Sequence, residues 1–235
     1  PPVYQLTIIG GFTDAFHFYP VIVRDSIATI YLHNNMLEYG HTYYVTIDNG
    51  VLNLADGSFQ GVTKEDEWTF TTKSDMPELS DTLIVDATGK GDFNTVQGAL
   101  DFIPDFNERQ TVILVNPGDY EELVYTRNKW NVKIKGAGMA DTKVHYANNE
   151  VFNPHPLTVK TNEWPGTFPS RRAAFMLDNC KDIVIEDMTI ATDLKGQAEG
   201  LLINGERIAL YRVHIIGSGD ALKANGTIYM VSCEL

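Results

Sequence analysis

The sequence predicts an all-β protein in which a small antiparallel β-sandwich is followed by a parallel β-helix. Two observations carry this prediction. Short strand-like segments separated by turns fill the first third of the chain, and one strand pattern repeats through the last third. A third observation agrees with an all-β fold. The helix that apolar periodicity predicts, over 94–103, is short and is terminated by Pro104.

Composition and charge limit the classes of protein that fit. The chain has 235 residues, of which 43% are hydrophobic, enough for one large globular domain or two small ones. It has no run of 18 apolar residues, so no membrane span is predicted. The formal net charge is −13, which argues against binding nucleic acid through its phosphates.

The first part of the chain, 1–73, is rich in β-branched and aromatic residues. Turn signals such as Asp48-Asn49-Gly50 and Asp56-Gly57 separate its strand-like runs. Strands at this spacing predict a small antiparallel sandwich. The polar, acidic stretch 74–81 has the composition of a linker. The predicted strands cover residues 3–9, 20–24, 26–32, 42–47 and 67–72.

The last part of the chain repeats one strand-sized unit. Segments 182–190, 207–215 and 227–235 align at spacings of 25 and 21 residues, and 131–136 is an earlier copy. Such a repeat, without a helix in each unit, is typical of a parallel β-helix whose apolar residues point inward. The aligned inward positions are Ile183, Ile208 and Ile228; Ile185, Leu210 and Met230; Met188, Val213 and Cys233; and Ile190, Ile215 and Leu235.

The same alignment makes two further predictions. An asparagine precedes each copy, and stacked asparagine amides can pair along a solenoid; these residues are Asn179, Asn204 and Asn225. The two cysteines, Cys180 and Cys233, fall at different positions of the repeat, so we expect free buried thiols rather than a disulfide.

Polar residues of two outward segments form the candidate site. Segments 196–205 and 217–226 lie one rung apart, where Gln197, Glu199 and Asp220 could meet. Counting back from the turn asparagines puts Glu199 beside Asp220, whereas other gap placements favour Gln197. A Glu199–Asp220 pair would make an acid/base couple.

Four motifs in 82–235 together resemble the opening of the pectin methylesterases. They are Gly91-Asp92-Phe93 with TVQGAL, the G-x-Y-x-E-like run 118–122, Gly-Ala-Gly at 136–138, and GQAEGLLINGERIALYRVHIIGSGDAL over 196–222. The resemblance implies the N-terminal part of a right-handed parallel β-helix and hydrolysis of galacturonate methyl esters in pectin. It implies no metal or organic cofactor, and a secreted, cell-surface or periplasmic bacterial protein.

The resemblance also implies roles for two residues. Gln197 takes the place of an oxyanion-binding glutamine, and Asp220 that of the general acid/base aspartate. Gly219 stands where the family has a second oxyanion glutamine, and Glu199 stands at an apolar position. The resemblance implies that a second aspartate, the nucleophile, belongs to a later rung than the one that includes Leu235, so we expect this chain alone not to run the reaction.

In the first part of the chain, the run from LEYGHTYYVTIDNG to EWTFTT, within 37–72, resembles the C-terminal part of bacterial Ig-like modules. The expected organisation is therefore an Ig-like module over 1–73, a linker over 74–81 and a pectinesterase-like β-helix over 82–235. Ig-like modules of this kind are found on secreted proteins.

An insertion over 147–172 carries further candidate residues. Trp164 and the paired arginines Arg171 and Arg172 could grip an acidic sugar polymer or could anchor the loop. Trp164 and Arg171, with Glu199, are the candidate substrate-binding residues. His145 and His155 have no metal-ligand spacing and are expected to be solvated.

Two other functions remain open at this point. A calcium-dependent pectate lyase would need an outward carboxylate cluster, for which Asp182, Glu186 and Asp187 are the candidates. A non-catalytic pectin-binding or polysaccharide-binding β-helix would explain why Gly219 replaces a catalytic glutamine. If the chain is a pectin methylesterase, the expected partner is methyl-esterified pectin. Neither a nucleic-acid partner nor a membrane span is expected.

Overall fold

The computed structural model describes residues 5–7, 16–32, 37–53, 56–154 and 171–235. The first part of the described chain forms three antiparallel strand pairs. All of these strands except β2 are predicted from the sequence. The pairs are β1 (Gln5–Thr7) with β2 (Phe16–Phe18), β3 (Val21–Arg24) with β4 (Ile27–Ile30), and β5 (Thr42–Tyr44) with β6 (Thr69–Thr71).

The rest of the described chain forms one parallel β-helix with a short helix near its start. Its main stack runs from β7 through β8, β11, β13 and β14 to β15, and all these pairs are parallel. The elements are β7 (Thr82–Val85), α1 (Val96–Phe102), β8 (Thr111–Val115), β9 (Gly118–Glu121), β10 (Val124–Arg127), β11 (Trp130–Lys135), β12 (Thr142–Tyr146), β13 (Phe175–Thr192), β14 (Leu201–Ile216) and β15 (Leu222–Val231).

The long strand β13 forms three faces of a single rung. Its successive parts pair with β10, β11 and β12. Asn179 and Asp187, which separate these parts, have positive φ angles of 52° and 59°, and Asp182, near the start of the part paired with β11, has one of 55°. This left-handed conformation turns the chain at each corner, and Asn and Asp adopt it more readily than other side chains.

The predicted inward columns are confirmed by the strand register. Ile183, Ile208 and Ile228 are paired in succession, and so are Ile185, Leu210 and Met230. These columns form the core of the β-helix. The last predicted inward position is wrong, because Leu235 is 72% exposed.

Both cysteines are free, as predicted. Cys180 is fully buried, and this burial raises the pKa of its thiol to about 12. Cys233 is only half-buried and packs against the edge of the core. The expectation of a buried thiol therefore holds for Cys180 and is only partly met for Cys233.

The predicted asparagine ladder is confirmed at two of its three positions. Asn225 Nδ2 donates to Asn204 Oδ1 at 2.7 Å. In β13 the residue paired with Asn204 is Asp178 rather than Asn179, because a bulge lies between Asp178 and Cys180. Asn179 instead donates to Asn128 Oδ1 at 2.7 Å, one rung earlier.

The predicted helix begins after Thr95, whose side chain accepts a hydrogen bond from the backbone N–H of Gly98. A second cap comes from Glu122, the acidic residue that ends the 118–122 motif. Its carboxylate accepts the backbone N–H groups of Val96 and Gln97 at 2.8 and 2.9 Å. Glu122 therefore ties the helix to the β-helix.

Glu122 gives the fold a measurable pH dependence. Burial outweighs its two N–H donors and raises the pKa of Glu122 to about 7 from 4.5. The folded state then holds a proton that the unfolded state releases, so this group's contribution to stability falls as pH rises from 4.5 to 7. We expect the stability advantage of the parent over Glu122→Gln to shrink by about 3 kcal/mol across this window.

Urea denaturation of both proteins at pH 4.5, 6 and 7.5 measures this difference. Glu108→Gln changes an exposed carboxylate and serves as the matched control, for which we expect no such trend. A parent-to-variant difference at Glu122 that stays constant from pH 4.5 to 7.5 would contradict the prediction.

The division of the chain into compact units differs from the predicted one. One unit combines the described residues up to Tyr31 with Leu79–Leu235, and the other is Leu32–Glu78. The reason is an aromatic contact: Phe18 and Tyr19 join a buried cluster with Tyr125 and Tyr146 of the β-helix. Within the described residues, no helix is long and apolar enough to cross a membrane.

Candidate active site

Two chain segments on neighbouring rungs form the base of the site, directly before β14 and β15. Ala198 N donates to Ser218 O at 3.0 Å, and Ser218 N donates to Ala198 O at 2.8 Å. Leu201 pairs with Leu222. The parallel register ends at this pair, because the bridge between Ala198 and Ser218 is antiparallel. The pairing of Glu199 with Asp220 that the turn asparagines indicate therefore stays a prediction.

The turn before Asp220 depends on glycine. A Cβ atom at Gly217 would lie 2.0 Å from the backbone oxygen of Asp220, so only glycine fits there. Gly219 has a φ angle of +85°. A glutamine at this position would be strained. The local backbone therefore fits glycine, which stands here in place of the second oxyanion glutamine of the family pattern.

Arg172, which lies just before β13, brings the predicted site residues together. Its Nε donates to both carboxylate oxygens of Glu199 at 2.9 and 2.8 Å, and its Nη2 donates to Glu199 Oε1 at 2.6 Å. Its Nη1 donates to Gln197 Oε1 at 2.5 Å. Its Nη2 also lies 3.5 Å from Asp220 Oδ2. Gln197, Glu199 and Asp220 therefore surround one guanidinium group.

The members of this cluster differ in exposure. The Glu199 side chain is fully buried, whereas the Asp220 side chain is 56% exposed. Gln197 is also exposed. A ligand can therefore reach the Gln197 amide and the Asp220 carboxylate but not Glu199.

The cluster carries more negative than positive charge. The Glu150 carboxylate lies 3.9 Å from Arg172, so three carboxylates surround one guanidinium. The hydrogen bond to Glu199 raises the pKa of Arg172, which keeps the guanidinium charged. The accessible groups are thus an amide that can donate to a developing oxyanion and a carboxylate that can transfer a proton.

Arg171 is not part of this cluster. Its Nε and Nη2 donate to Pro154 O at 3.0 and 2.5 Å, and its backbone oxygen accepts from Asn148 Nδ2 at 2.9 Å. Arg171 is buried and fastens the chain after the insertion, which is the anchoring role that the sequence left open. Its predicted contact with substrate has no support in this geometry. Trp164 lies outside the described residues.

From sequence alone, Arg172 belongs to the insertion, and its pairing with Glu199 is not predicted. The available signal was an acidic residue at a position that the resembling family fills with an apolar one. A buried carboxylate needs a cationic partner, and the neighbouring rung supplies one.

His145 is not solvated, contrary to the prediction. It lies on β12, inside a parallel sheet, and is 4% exposed. Its Nδ1 is 2.5 Å from Asp193 Oδ2, and its Nε2 is 2.9 Å from Asp119 Oδ1. The burial follows from the position of β12, which is paired with β9 on one side and with β13 on the other. His155 lies outside the described residues.

The carboxylates considered for calcium are paired with basic side chains. Asp182 Oδ2 is 2.5 Å from Arg207 Nη2, Asp187 Oδ1 is 2.6 Å from Arg212 Nε, and Glu186 Oε1 is 2.8 Å from Lys133 Nζ. In the part of the chain that the structure describes, no group of three or more His, Cys, Asp or Glu residues could hold a metal ion. The ion pairs do not favour a calcium-dependent pectate lyase.

Comparison with known proteins places this site in a family context. The family model described as Pectinesterase matches residues 82–234. Pectinesterase QRT1 of Arabidopsis thaliana is 29% identical over 161 residues, which cover 65% of this chain and 41% of that protein. Pectinesterase 31 of the same plant is 29% identical over 156 residues, which cover 64% of this chain and 48% of that protein.

Two solved structures share the fold. The pectin methylesterase from carrot has a TM-score of 0.54 at 21% identity, over 68% of this chain and 47% of that chain. Pectin methylesterase PemA from Erwinia chrysanthemi has a TM-score of 0.50 at 20% identity, over 67% of this chain and 49% of that chain. These similarities confirm the predicted β-helix. The chain spans less than half the length of these four proteins.

Proposed function

Because the chain belongs to the pectinesterase family, we propose that it hydrolyses the methyl esters of galacturonate units in pectin and that the cluster around Arg172 is part of the site. The observation that carries this proposal is the meeting of Gln197 and Asp220, both exposed, on neighbouring rungs. These are the two residues to which the motif resemblance assigns roles in ester hydrolysis.

The proposed chemistry divides the reaction into two proton transfers. When a nucleophilic aspartate attacks the ester carbonyl, the Gln197 amide donates to the oxygen that becomes negative. Protonated Asp220 gives its proton to the departing methoxide, which leaves as methanol. Asp220 then takes a proton from the water that attacks the acyl-enzyme, and the free carboxylate of pectin is released. No metal or organic cofactor takes part in these steps.

Glu199 does not supply the nucleophile in this proposal. Both of its carboxylate oxygens accept hydrogen bonds from Arg172, and its side chain is fully buried. The attacking aspartate therefore comes from outside the Arg172 cluster. Glu199 acts as the counter-ion of Arg172 rather than as an acid/base partner of Asp220.

The charge of the chain supports a neutral substrate. The formal net charge is −13, and the cluster itself has three carboxylates around one guanidinium. Esterified galacturonate units carry no charge, whereas the product carries a carboxylate. Methyl-esterified pectin is therefore the proposed partner, and de-esterified product would be repelled.

We propose that the protein acts outside the cell, where pectin occurs, and that it has a bacterial source. The N-terminal residues 1–73 are proposed to derive from an Ig-like module, followed by a linker over 74–81. Within Leu32–Glu78, the antiparallel pair β5–β6 and the stacked rings of Tyr43 and Phe70, 5.7 Å apart, support a β-sheet module.

One observation favours a second candidate function, a pectin-binding β-helix without turnover. Gly219 has a left-handed backbone and replaces the second oxyanion glutamine of the family pattern. A site with one amide donor fewer stabilises the oxyanion less. Tight binding of pectin without methanol release would support this alternative.

Methanol release from highly methyl-esterified pectin tests the proposed function. We expect the full-length protein that contains this chain to release methanol without added metal, and chelator to have no effect. Absence of methanol from a protein shown to be folded by circular dichroism would contradict the esterase and would leave the binding module as the better account.

A further inference from the structure

The orientation of the Gln197 amide is fixed by its contact with Arg172. A guanidinium group has five N–H donors and no acceptor. Because Arg172 Nη1 lies 2.5 Å from Gln197, the amide oxygen must face Arg172. The amide nitrogen and its two hydrogens then point away from the guanidinium. This is the end of the amide that an oxyanion requires.

Arg172 is itself held in place. Its Nε and Nη2 grip the Glu199 carboxylate, and the Arg172 side chain is 14% exposed. A planar fork on a buried carboxylate leaves the guanidinium little freedom to rotate. The third nitrogen, Nη1, is therefore presented to Gln197 in one direction.

An ion pair outside the candidate site provides a comparison for the Arg172–Glu199 pair. Arg207 grips Asp182 through Nε and Nη2, at 2.6 and 2.5 Å, and the Arg207 side chain is 53% exposed. That fork is exposed and lies on a corner of the β-helix. The Arg172 fork is buried and adds an amide and Asp220 to the same group.

We propose that Arg172 is a positioning residue: with Glu199 as its buried counter-ion, it holds the Gln197 amide nitrogen toward the ester oxygen. This inference rests on the proposed function of the site. Gly219 removes one amide from the family pattern, so the orientation of the remaining one carries more of the oxyanion stabilisation. Without Arg172, the exposed Gln197 side chain would sample both amide orientations.

Steady-state kinetics test the consequence for the reaction. In the full-length protein, Arg172→Met should lower kcat for methanol release by about 10- to 100-fold, with KM changed less than about threefold. Arg207→Met is the matched control and should leave both constants unchanged. Unchanged kcat in Arg172→Met would overturn the inference while leaving the esterase function intact.

A double variant guards against misfolding, since Arg172→Met alone leaves the buried Glu199 without its guanidinium. Arg172→Met with Glu199→Met removes both charges, and such replacements are tolerated in protein interiors. We expect the double variant to fold and to show the same loss in kcat. Full activity in the double variant would overturn the inference.

A second readout does not depend on catalysis. In ¹⁵N relaxation measurements, the side-chain NH₂ group of Gln197 should be rigid in the parent protein and should become flexible, with an order parameter below about 0.6, in the double variant. Equal mobility in both proteins would overturn the positioning role. A rigid amide in a parent that releases no methanol would keep the positioning and reject the proposed function.

Discussion

Asp220→Asn is expected to lower kcat/KM for methanol release from methyl-esterified pectin by about 10²- to 10⁴-fold. Asparagine has the shape of aspartate and can keep the contact with Arg172 through its amide oxygen, but it cannot give a proton to methoxide or take one from water. The Asp220 side chain is 56% exposed and forms no part of the core, so the fold should not change.

The measurement is initial-rate methanol release by the full-length protein and its variant at several pectin concentrations. Asp182→Asn is the control, because this carboxylate is also exposed and also faces an arginine, Arg207, but lies on a corner of the β-helix. We expect the control to keep its activity. Methanol release that is equal in the parent and in Asp220→Asn would reject the role of Asp220.

Asp178→Ala is expected to destabilise the β-helix by about 3–5 kcal/mol. The Asp178 carboxylate is fully buried at the start of the bulge in β13, and Arg127 Nε donates to it at 2.9 Å. Asn204 Nδ2 donates to its other oxygen at 3.4 Å. The Arg127 side chain is only 15% exposed, so removing the carboxylate leaves a largely buried guanidinium without that counter-charge.

Urea denaturation followed by far-UV circular dichroism measures this loss. Asp81→Ala is the control, because its ion pair with Arg109 is exposed and exposed pairs contribute about 0–1 kcal/mol. We expect the two variants to differ by at least 2 kcal/mol on this account. Equal midpoints and slopes for the two would contradict the structural importance of the Arg127–Asp178 pair.

The β-helix could be predicted because its core repeats. Each rung refills the same inward positions with apolar residues, as at Ile185, Leu210 and Met230, and a period read from the sequence gives the strand register directly. The bulge beside Asn179 could not be predicted in this way. One extra residue at a corner shifts the ladder locally without changing the pattern of the strands on either side.

The position of β2 to β4 depends on contacts that a local pattern does not encode. The rings of Tyr19 and Phe152 stack at 4.5 Å, and Tyr146 Oη accepts the backbone N–H of Tyr19 at 2.7 Å. These partners lie more than 120 residues apart in the chain. The composition of 1–73 indicated strands correctly, but it gave no information about which surface they cover.

The candidate site was predictable in part because it lies next to the repeated strands. Counting along the repeat placed Glu199 and Asp220 on neighbouring rungs, because they directly precede β14 and β15. The ion pair between Arg172 and Glu199 was not predicted, since Arg172 lies outside the repeated segments, at the end of an insertion. Burial of His145 was missed because its strand, β12, was not recognised.

The central claim is that a methyl ester of pectin binds at the cluster around Arg172. A crystal structure of the full-length Asp220→Asn variant with a methyl-esterified galacturonate hexasaccharide tests it most directly. We expect an ester carbonyl oxygen within about 3.2 Å of Gln197 Nε2, with the ester methoxy oxygen beside the side chain at position 220. A hexasaccharide bound elsewhere on the β-helix, or one whose ester groups all point away from Gln197, would contradict the account.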